Sequence, residues 1–502
     1  MEYIITIDVG TMSMRAIIYD IKGTSLFTSS FEYHAIFLPE GLVEQNPNDW
    51  KEALHYTLKE AAKYVKEKGI TISAIAVTSQ RASVIPVDLE GNPLYNAVTW
   101  QDKRSVTICE ELLEKISLYK IYKKTGLRAN PYFSLPKMIW FKQKAPEIYS
   151  KTYKLIGVQD YVIHLLTEEF KTDWSQAART MLMDISTFQW DRELLSIAGI
   201  DESLLCELCP PGSIAGELKE DLAEITGLKQ GIPVIMAGGD QQNAALALNI
   251  LSPGKAEANT GTGSFVIAYS NKPVFDKKCR ILCSASAIPG KWIVEAGIFN
   301  TGAIYRWFRE QFYSGENANY NVMNKDASES PVGSNGVMLI PHFEGSAAPF
   351  WNPYAKGLFF NLSLGTGKGD MARAIFEGIA MEIADNLSLM EVISGDIDTI
   401  SVAGGMTRSD LFNQIQSDIF YKKVVKYENS EATSLGATMS ATVTLGIYST
   451  YEEAFSNIIG KEEVYQPCAE NHIKYDKIRL RKHDLYNAIN QRGVYEKFMK
   501  KI

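Results

Sequence analysis

Two α/β domains are what this chain of 502 residues predicts. Three observations carry that expectation. Each half opens with an apolar strand, a short Gly/Thr turn and a second strand: YIITIDVGTMSMRAIIYD from residue 3 and AEANTGTGSFVIAYS from residue 256. A buried run, GIPVIMAGGD, ends in Gly238-Gly239 and delivers Asp240 into a turn, after which the apolar spacing becomes helical. A chain of this length also outgrows one ordinary core. The halves meet near residues 245–255, which sets expected domains at 1–248 and 249–502.

The elements follow in order. IITIDVG and RAIIYD flank the first turn, and Lys22-Gly23 turns the chain into SLFTSSFEY, so the protein begins as a β-meander. Asn46-Pro47-Asn48-Asp49 supplies a cap and a first-turn proline for a helix through WKEALHYTLKEAAKYVKEKG, closed at Gly69. ITISAIAVTSQ is nearly continuous in apolar residues and reads as a strand covered on both faces. SVIPVDLEGNPLYNAVTW reads as a hairpin turning at Glu90-Gly91-Asn92-Pro93. In the second half, KWIVEAGIF is a strand before NTGAIYRWF, DTISVAGG a strand before MTRSDLFNQIQSDIF, and TSLGATMSATVTLGIY a helix of small residues.

Bulk composition narrows the function. The formal net charge is −8, the wrong sign for a nucleic-acid partner. The Lys-rich stretch Lys477 to Lys501 is mixed with acids and reads as a solvated helix face. No basic n-region follows Met1, and no apolar stretch reaches membrane-spanning length, so a cytoplasmic protein with no membrane partner is expected. Six cysteines are too few for a disulfide framework. Cys206-x-x-Cys209 and Cys279-x-x-x-Cys283 have metal-like spacing, but Pro210-Pro211 and the lack of clustered His favour reduced thiols over zinc.

The motifs point to phosphoryl transfer. Gly-Thr loops at Gly10-Thr11-Met12-Ser13 and Gly261-Thr262-Gly263-Ser264 offer backbone N–H groups and hydroxyls of the kind that cradle phosphates. A carboxylate at the end of a buried strand, Asp240, is placed to accept a proton from an attacking hydroxyl or to cap the following helix. Two such loops and an acid suggest an ATP-using phosphotransferase.

At these residues the chain resembles the FGGY family of carbohydrate kinases, within the actin-like ATPase superfamily. DVGTMSMRAIIYD is similar to the family's first phosphate loop, and TGLRANPYFSLPKMIWFKQ to its N-domain signature. DYVIHLLTEEFKTDWSQAARTMLMD is similar to a further block, with Glu168 where Gly is usual. AGGDQQ, AKGLFFNLSLGTGKGDMARAIFEG (Asn361 where Gly is usual) and AGGMTRSDLFNQIQSD complete six pieces in the family order. The resemblance implies two actin-like, ribonuclease H-like α/β domains with an interdomain catalytic cleft. It implies ATP and Mg2+, with Asp8 near the metal and Asp240 as general base.

Residue by residue, the resemblance puts nucleotide contacts at Thr11, Ser13, Arg15, Thr262, Gly302, Gly405 and Ser409, with Arg306 nearby. It puts the acceptor against Arg81, Trp100, Tyr132, Asp240 and Gln241. The polar members would read hydroxyls and the two rings would face the acceptor's apolar side. TWQDKRS and NPYFS resemble the glycerol kinase version of these blocks, yet Ala82 stands where that version carries Glu. One carboxylate fewer removes an acceptor for two hydroxyls and leaves room for a larger polyol or ketose. A pentulose, a tetritol such as erythritol, or a hexonate competes with glycerol as substrate. A non-catalytic actin-like scaffold is the reading of another class, and intact Asp240, Gln241 and Trp100 speak against it. A homodimer is the default assembly.

Overall fold

The computed structural model describes residues 2–428 and 431–499. They form two compact units. The first comprises Met1–Leu251, Ser270–Ile293 and Glu431–Gly460; the second comprises Ser252–Tyr269, Val294–Ser430 and Lys461–Ile502.

The first unit is built on a six-stranded sheet. The opening meander is β1 (Tyr3–Val9), β2 (Ser13–Asp20) and β3 (Ser25–Glu32), each antiparallel to the next. Helix α1 (Pro47–Lys68) follows, with Asn46 accepting from Asn48 N and Gly69 in the left-handed region at its end. It returns the chain to β4 (Ile72–Ser79), which joins β1 in parallel. β5 (Ile214–Glu217) and β6 (Pro233–Gly239) complete the order β5-β6-β4-β1-β2-β3, with β6 parallel to β4. β1 and β4 are central and buried almost throughout, which is why their sequences run apolar without alternation. α3 will denote Asp240–Ala247, entered directly from β6, and α2 the Ser134–Lys144 helix.

One face of this sheet is closed by a helix from far along the chain. Ala437 and Ala441, on the helix Ala432–Thr444, pack with Ile4, Ala74, Ala76, Ile235 and Ala237. Thr438 Oγ1 meets Thr6 Oγ1 at 2.8 Å in the same layer. The helix also lies against α3 so closely that a Cβ on Gly436 would come within 1.9 Å of Asn243 O. The small residues of TSLGATMSAT are therefore an approach surface. They also explain why contacts do not divide the chain by a single cut at 248.

The second unit repeats the architecture. β7 (Lys255–Thr260) and β8 (Ser264–Ser270) are antiparallel, and β9 (Trp292–Ile298) lies beside β8. β10 (Thr399–Ala403) joins β7 in parallel, β11 (Lys423–Tyr427) joins β10 in parallel, and β12 (Glu462–Tyr465) is antiparallel to β11. This sheet has seven strands: Leu282–Ala285 lies at its edge beside β9, and the remaining six, β9-β8-β7-β10-β11-β12, follow the order of the first sheet, with a meander leading into parallel strands.

Two expectations need correction. The 84–98 segment turns as expected, with Gly91 N bonded to Asp88 O, but it forms no regular two-stranded hairpin. Its outgoing strand Ile85–Val87 pairs instead with Lys154–Ile156, and only isolated bridges, Val84 to Val98 and Val87 to Pro93, tie it to the return segment. Pro86 and Pro93 remove the donors a regular ladder needs. The Lys-rich C-terminal helix, Ala469–Gln491, is not only a solvated face: Lys482 is buried and pairs with Glu382 at 2.7 Å and Asp385 at 3.3 Å. Despite burial, Lys482 and His342, both paired with Glu382, hold its carboxyl below the usual carboxylate range. Among the described residues no helix is long and apolar enough to cross a membrane.

The contact between Gly436 and Asn243 generates a stability test. Gly436→Ala should force the two helices apart and cost about 1–3 kcal/mol. Urea unfolding followed by circular dichroism should show an earlier transition, and an unchanged midpoint would contradict this packing.

Candidate active site

In the first unit the site is organised by the turn from β6 into α3. Gly238 has φ +111°, and a Cβ there would lie 2.8 Å from Ser175 Oγ. A Cβ on Gly239 would lie 2.5 Å from Arg81 Cδ and 2.6 Å from Gln242 Oε1. The backbone polar groups are taken up on all sides. Gly238 N donates to Gln159 Oε1 and Gly239 N to Ser175 Oγ, while Gly238 O accepts from Thr78 Oγ1 and Asn243 Nδ2. Such a turn has little freedom, so Asp240, the first residue of α3, is held in place.

Arg81 reaches this carboxylate from just beyond the end of β4. Its side chain is 2% exposed, with Nε 3.2 Å from Asp240 Oδ1 and Nη1 donating to Gln242 Oε1 at 3.0 Å. Asp240 keeps 28% of its side chain exposed and also accepts from Gln241 N at 2.7 Å. Burial pushes the Asp240 carboxyl above its ordinary value; Arg81 and the Gln241 N–H pull it back, the Asp8 charge adds to the rise, and Arg179 lowers it. Gln241 Oε1 is buried with no hydrogen-bond partner among the described residues.

The two aromatic candidates meet: the Trp100 and Tyr132 rings lie 5.6 Å apart, tilted by 55°. The Arg179 guanidinium sits 5.5 Å from the Tyr132 ring and 5.1 Å from that of Phe133, and donates to Ser284 Oγ. Arg179 thus links the rings to the field around Asp240. Ala82 is buried with φ +66°, and with Ser83, Asp160 and Gln176 it lines a small internal cavity of about 20 Å³.

The first Gly/Thr loop is tied by side chains. Tyr33 OH donates to Gly10 O at 2.6 Å, Gln45 Nε2 to Thr11 O at 2.7 Å, and Gln80 Nε2 to Gln45 Oε1 at 2.9 Å. Ser13 O accepts from Gly10 N, closing the turn, and Thr11 Oγ1 makes a long contact of 3.4 Å to Gln80 Oε1. Arg15 is not a free phosphate donor here: its guanidinium bridges Asp8 and Glu431, each at 2.6 Å. Asp8 is buried, which raises its pKa, while Arg15 opposes the rise.

A cavity of about 450 Å³ lies wholly within the second unit. Thr262, Gly302, Arg306, Gly405 and Ser409, all singled out in the sequence, line it. Here the loop is tied mainly by backbone, with Thr301 Oγ1 also donating to Gly261 O at 3.3 Å. Gly302 N donates to Gly261 O, and Thr301 N and Ala303 N donate to Thr262 O. Gly302 heads helix α4 (Gly302–Phe312), and a Cβ there would stand 2.3 Å from Gly261 O. Gly404, at φ +92°, would place one 2.4 Å from Thr260 O. Gly405 differs, because a Cβ on it would meet nothing within 4 Å although it lines the cavity. Ser409 Oγ accepts from Phe412 N, so it caps the helix Asp410–Phe420 as well.

Sequence reading missed several residues. Tyr305 and Tyr320 line the cavity with rings 5.7 Å apart, and Tyr305 OH donates to Asn324 Oδ1. Tyr305, three residues after Gly302, was legible as a helical neighbour; Tyr320 and Asn324 come from a separate helix and left no signal. Glu431, the second partner of Arg15, lies over 400 positions away from it, and only folding pairs them.

The comparisons with known proteins agree with this geometry. The model for the N-terminal domain of the FGGY family of carbohydrate kinases matches residues 3–247, and that for its C-terminal domain residues 256–445. The chain is 35% identical to a glycerol kinase of Thermococcus gammatolerans, over 93% of this chain and 94% of that one. It is 31% identical to a gluconokinase of Bacillus subtilis, over 94% and 93%. Gluconate kinase from Lactobacillus acidophilus superposes with a TM-score of 0.93 at 26% identity, covering 99% of both chains. Plasmodium falciparum glycerol kinase with ADP gives 0.89 at 28%, covering 98% of both. With both domain models matched in order and relatives aligned over nearly its full length, this chain belongs to the FGGY family of carbohydrate kinases, enzymes that phosphorylate sugars or polyols with ATP.

Proposed function

We propose that the chain phosphorylates a hydroxyl of a small sugar, polyol or sugar acid, with Asp240 as the general base. The observation that carries this is the partly exposed, Arg81-paired Asp240 just after β6. The acceptor lies against Arg81, Gln241, Trp100 and Tyr132; the unpartnered Gln241 Oε1 is suited to a hydroxyl donor. As the acceptor oxygen attacks the terminal phosphorus of ATP, its proton passes to Asp240 and the bond to the ADP oxygen breaks. Burial raises the proton affinity of Asp240 above that of an ordinary carboxylate, which favours a base, while Arg81 opposes the rise.

The nucleotide belongs to the second-unit cavity, with Thr262 and the backbone of Gly302 and Gly405 toward it. Thr11 and Ser13 supply donors to the transferred group. Arg15 acts by orienting Asp8 rather than by touching phosphate. The donor set fits Mg2+: Asp8 is a buried carboxylate whose charge is felt at Asp240, and magnesium needs only one or two carboxylates beside phosphate oxygens and water. Bound there, the ion would neutralise charge on the phosphates.

Ala82 favours an acceptor larger than glycerol, since it leaves the Arg81 side of the pocket without a second carboxylate. Relatives carrying the names glycerol kinase and gluconokinase match at similar identity, so resemblance alone does not choose between such acceptors. A cytoplasmic homodimer completes this reading as the default for such an enzyme. An ADP-release assay over a panel of polyols, ketoses and sugar acids tests the whole: a four- to six-carbon acceptor should surpass glycerol in kcat/KM.

Three further outcomes are expected. Asp240→Asn should lower kcat by ~10² or more with ATP affinity unchanged, and retention of a large share of turnover would exclude Asp240 as the base. Activity requires ionised Asp240, so kcat/KM falls as pH drops through its pKa; Arg81 lowers that pKa, hence Arg81→Met should move the acid limb to higher pH. Gly405→Val should weaken ATP binding roughly tenfold, about 1.4 kcal/mol, because Gly405 lines the cavity and a Cβ there meets nothing within 4 Å. Calorimetric titration and a melting curve check this together, and a fall in Tm with unchanged affinity would contradict it.

A further inference from the structure

Lys137 is fully buried, with 0% of its surface exposed, and among the described residues no carboxylate pairs with it. It stands fourth in α2, where the helix dipole disfavours a cation. Its Nζ instead faces four carbonyls: Tyr132 O at 2.7 Å, Pro131 O at 2.8 Å, Phe133 O at 2.9 Å and Ala82 O at 3.3 Å. Burial pulls its pKa down to about 7, opposed by the Asp102 charge. An ammonium has three protons for these four acceptors, so all its donors are spent on two stretches of backbone.

Those stretches carry the two walls of the acceptor pocket. Ala82 follows Arg81 directly and sits in the left-handed region at φ +66°, a conformation that a non-glycine residue adopts only when its surroundings hold it there. Tyr132 is the ring that meets Trp100. Lys137 Nζ bonds both Ala82 O and Tyr132 O and so ties the two stretches directly. Its position in SLPKMIWF, among apolar residues, gives no sign of that role.

We propose that Lys137 is a positioning residue for the acceptor pocket: its ammonium fastens the Arg81–Ala82 backbone to the Tyr132 backbone and thereby sets the spacing that selects the acceptor. This rests on the acceptor reading given under Proposed function. Lys137 itself touches no reacting atom. Its influence runs through the orientation of Arg81 and of the Tyr132 ring, so it should act on acceptor KM and on choice among acceptors, and not on the nucleotide.

The test uses the full chain with Lys137→Met, which keeps length and removes every donor, and Lys137→Arg, which keeps charge in a different shape. For each, kcat and KM are measured for glycerol and for the best acceptor of the panel, with ATP affinity by calorimetry. In Lys137→Met, acceptor KM should rise about tenfold, the loss typical of unpaired buried acceptors, with ATP affinity unchanged. The ratio of kcat/KM between the two acceptors should also change several-fold. That ratio is independent of how much of the preparation is folded, so a purely structural lysine would leave it alone. Parallel loss for both acceptors, or unchanged KM, overturns the proposal. If Lys137→Met does not fold, Lys137→Arg carries the test, and an unchanged ratio there overturns it equally. Trp100→Ala and Tyr132→Ala separate the two levels. If they leave acceptor KM unchanged, the acceptor reading fails and this inference with it. If they raise KM while Lys137→Met leaves the ratio unchanged, this inference alone fails.

Discussion

Two missing Cβ atoms control the chemistry of the first unit. Arg81 can cross the backbone at Gly239 and reach Asp240 only because nothing projects there; a methyl group would overlap its Cδ at 2.5 Å. At Gly238 the left-handed turn sends the chain into α3 without colliding with Ser175. Ser175 and Gln159 then occupy the two N–H groups, and Thr78 and Asn243 the first carbonyl. A carboxylate mounted in this way is held in one place. The same burial that rigidifies the mount also raises the acid's proton affinity.

The two Gly/Thr loops reach similar ends by different means. The loop at Gly261 is shaped by its own main chain and by glycines that no other residue could replace, since Gly263 would strike Ile298 O at 2.7 Å and Gly302 would strike Gly261 O. The loop at Gly10 is looser in this sense: a Cβ on Gly10 would come no closer than 3.3 Å to Ser13 O. Its carbonyls are instead held by Tyr33 and Gln45, and Gln80 braces the Gln45 amide. The first loop thus leans on side chains from other elements, whereas the second leans mainly on main chain, with the Thr301 hydroxyl added at Gly261 O.

Much of this was legible in the sequence. The continuous apolar runs of β1 and β4, the capped helix ending at Gly69 and the Gly-Gly-Asp turn all carry local signals that the fold respects. Thr262, Gly302, Gly405 and Ser409 were readable as one set and do line one cavity. Arg15 was readable as a cation near a phosphate loop but not as the partner of Asp8 and Glu431, because residue 431 enters only by folding. Lys482 was lost for a related reason: its neighbours in sequence are charged, and the acids that bury it lie on another helix. Pairing across long separations is what periodicity cannot express.

The discontinuity of the first unit has a consequence for biosynthesis. Ile4, Ala74, Ala76, Ile235 and Ala237 are all present once β6 has been made, yet Ala437 and Ala441, which pack with them, come some two hundred positions later. At typical translation rates that interval is on the order of ten seconds or more. Throughout it the nascent chain carries a sheet with a bare apolar face, the kind of surface that aggregates or recruits a chaperone. Three of the five sheet residues in that layer are alanine, which keeps the face shallow while it waits for its lid.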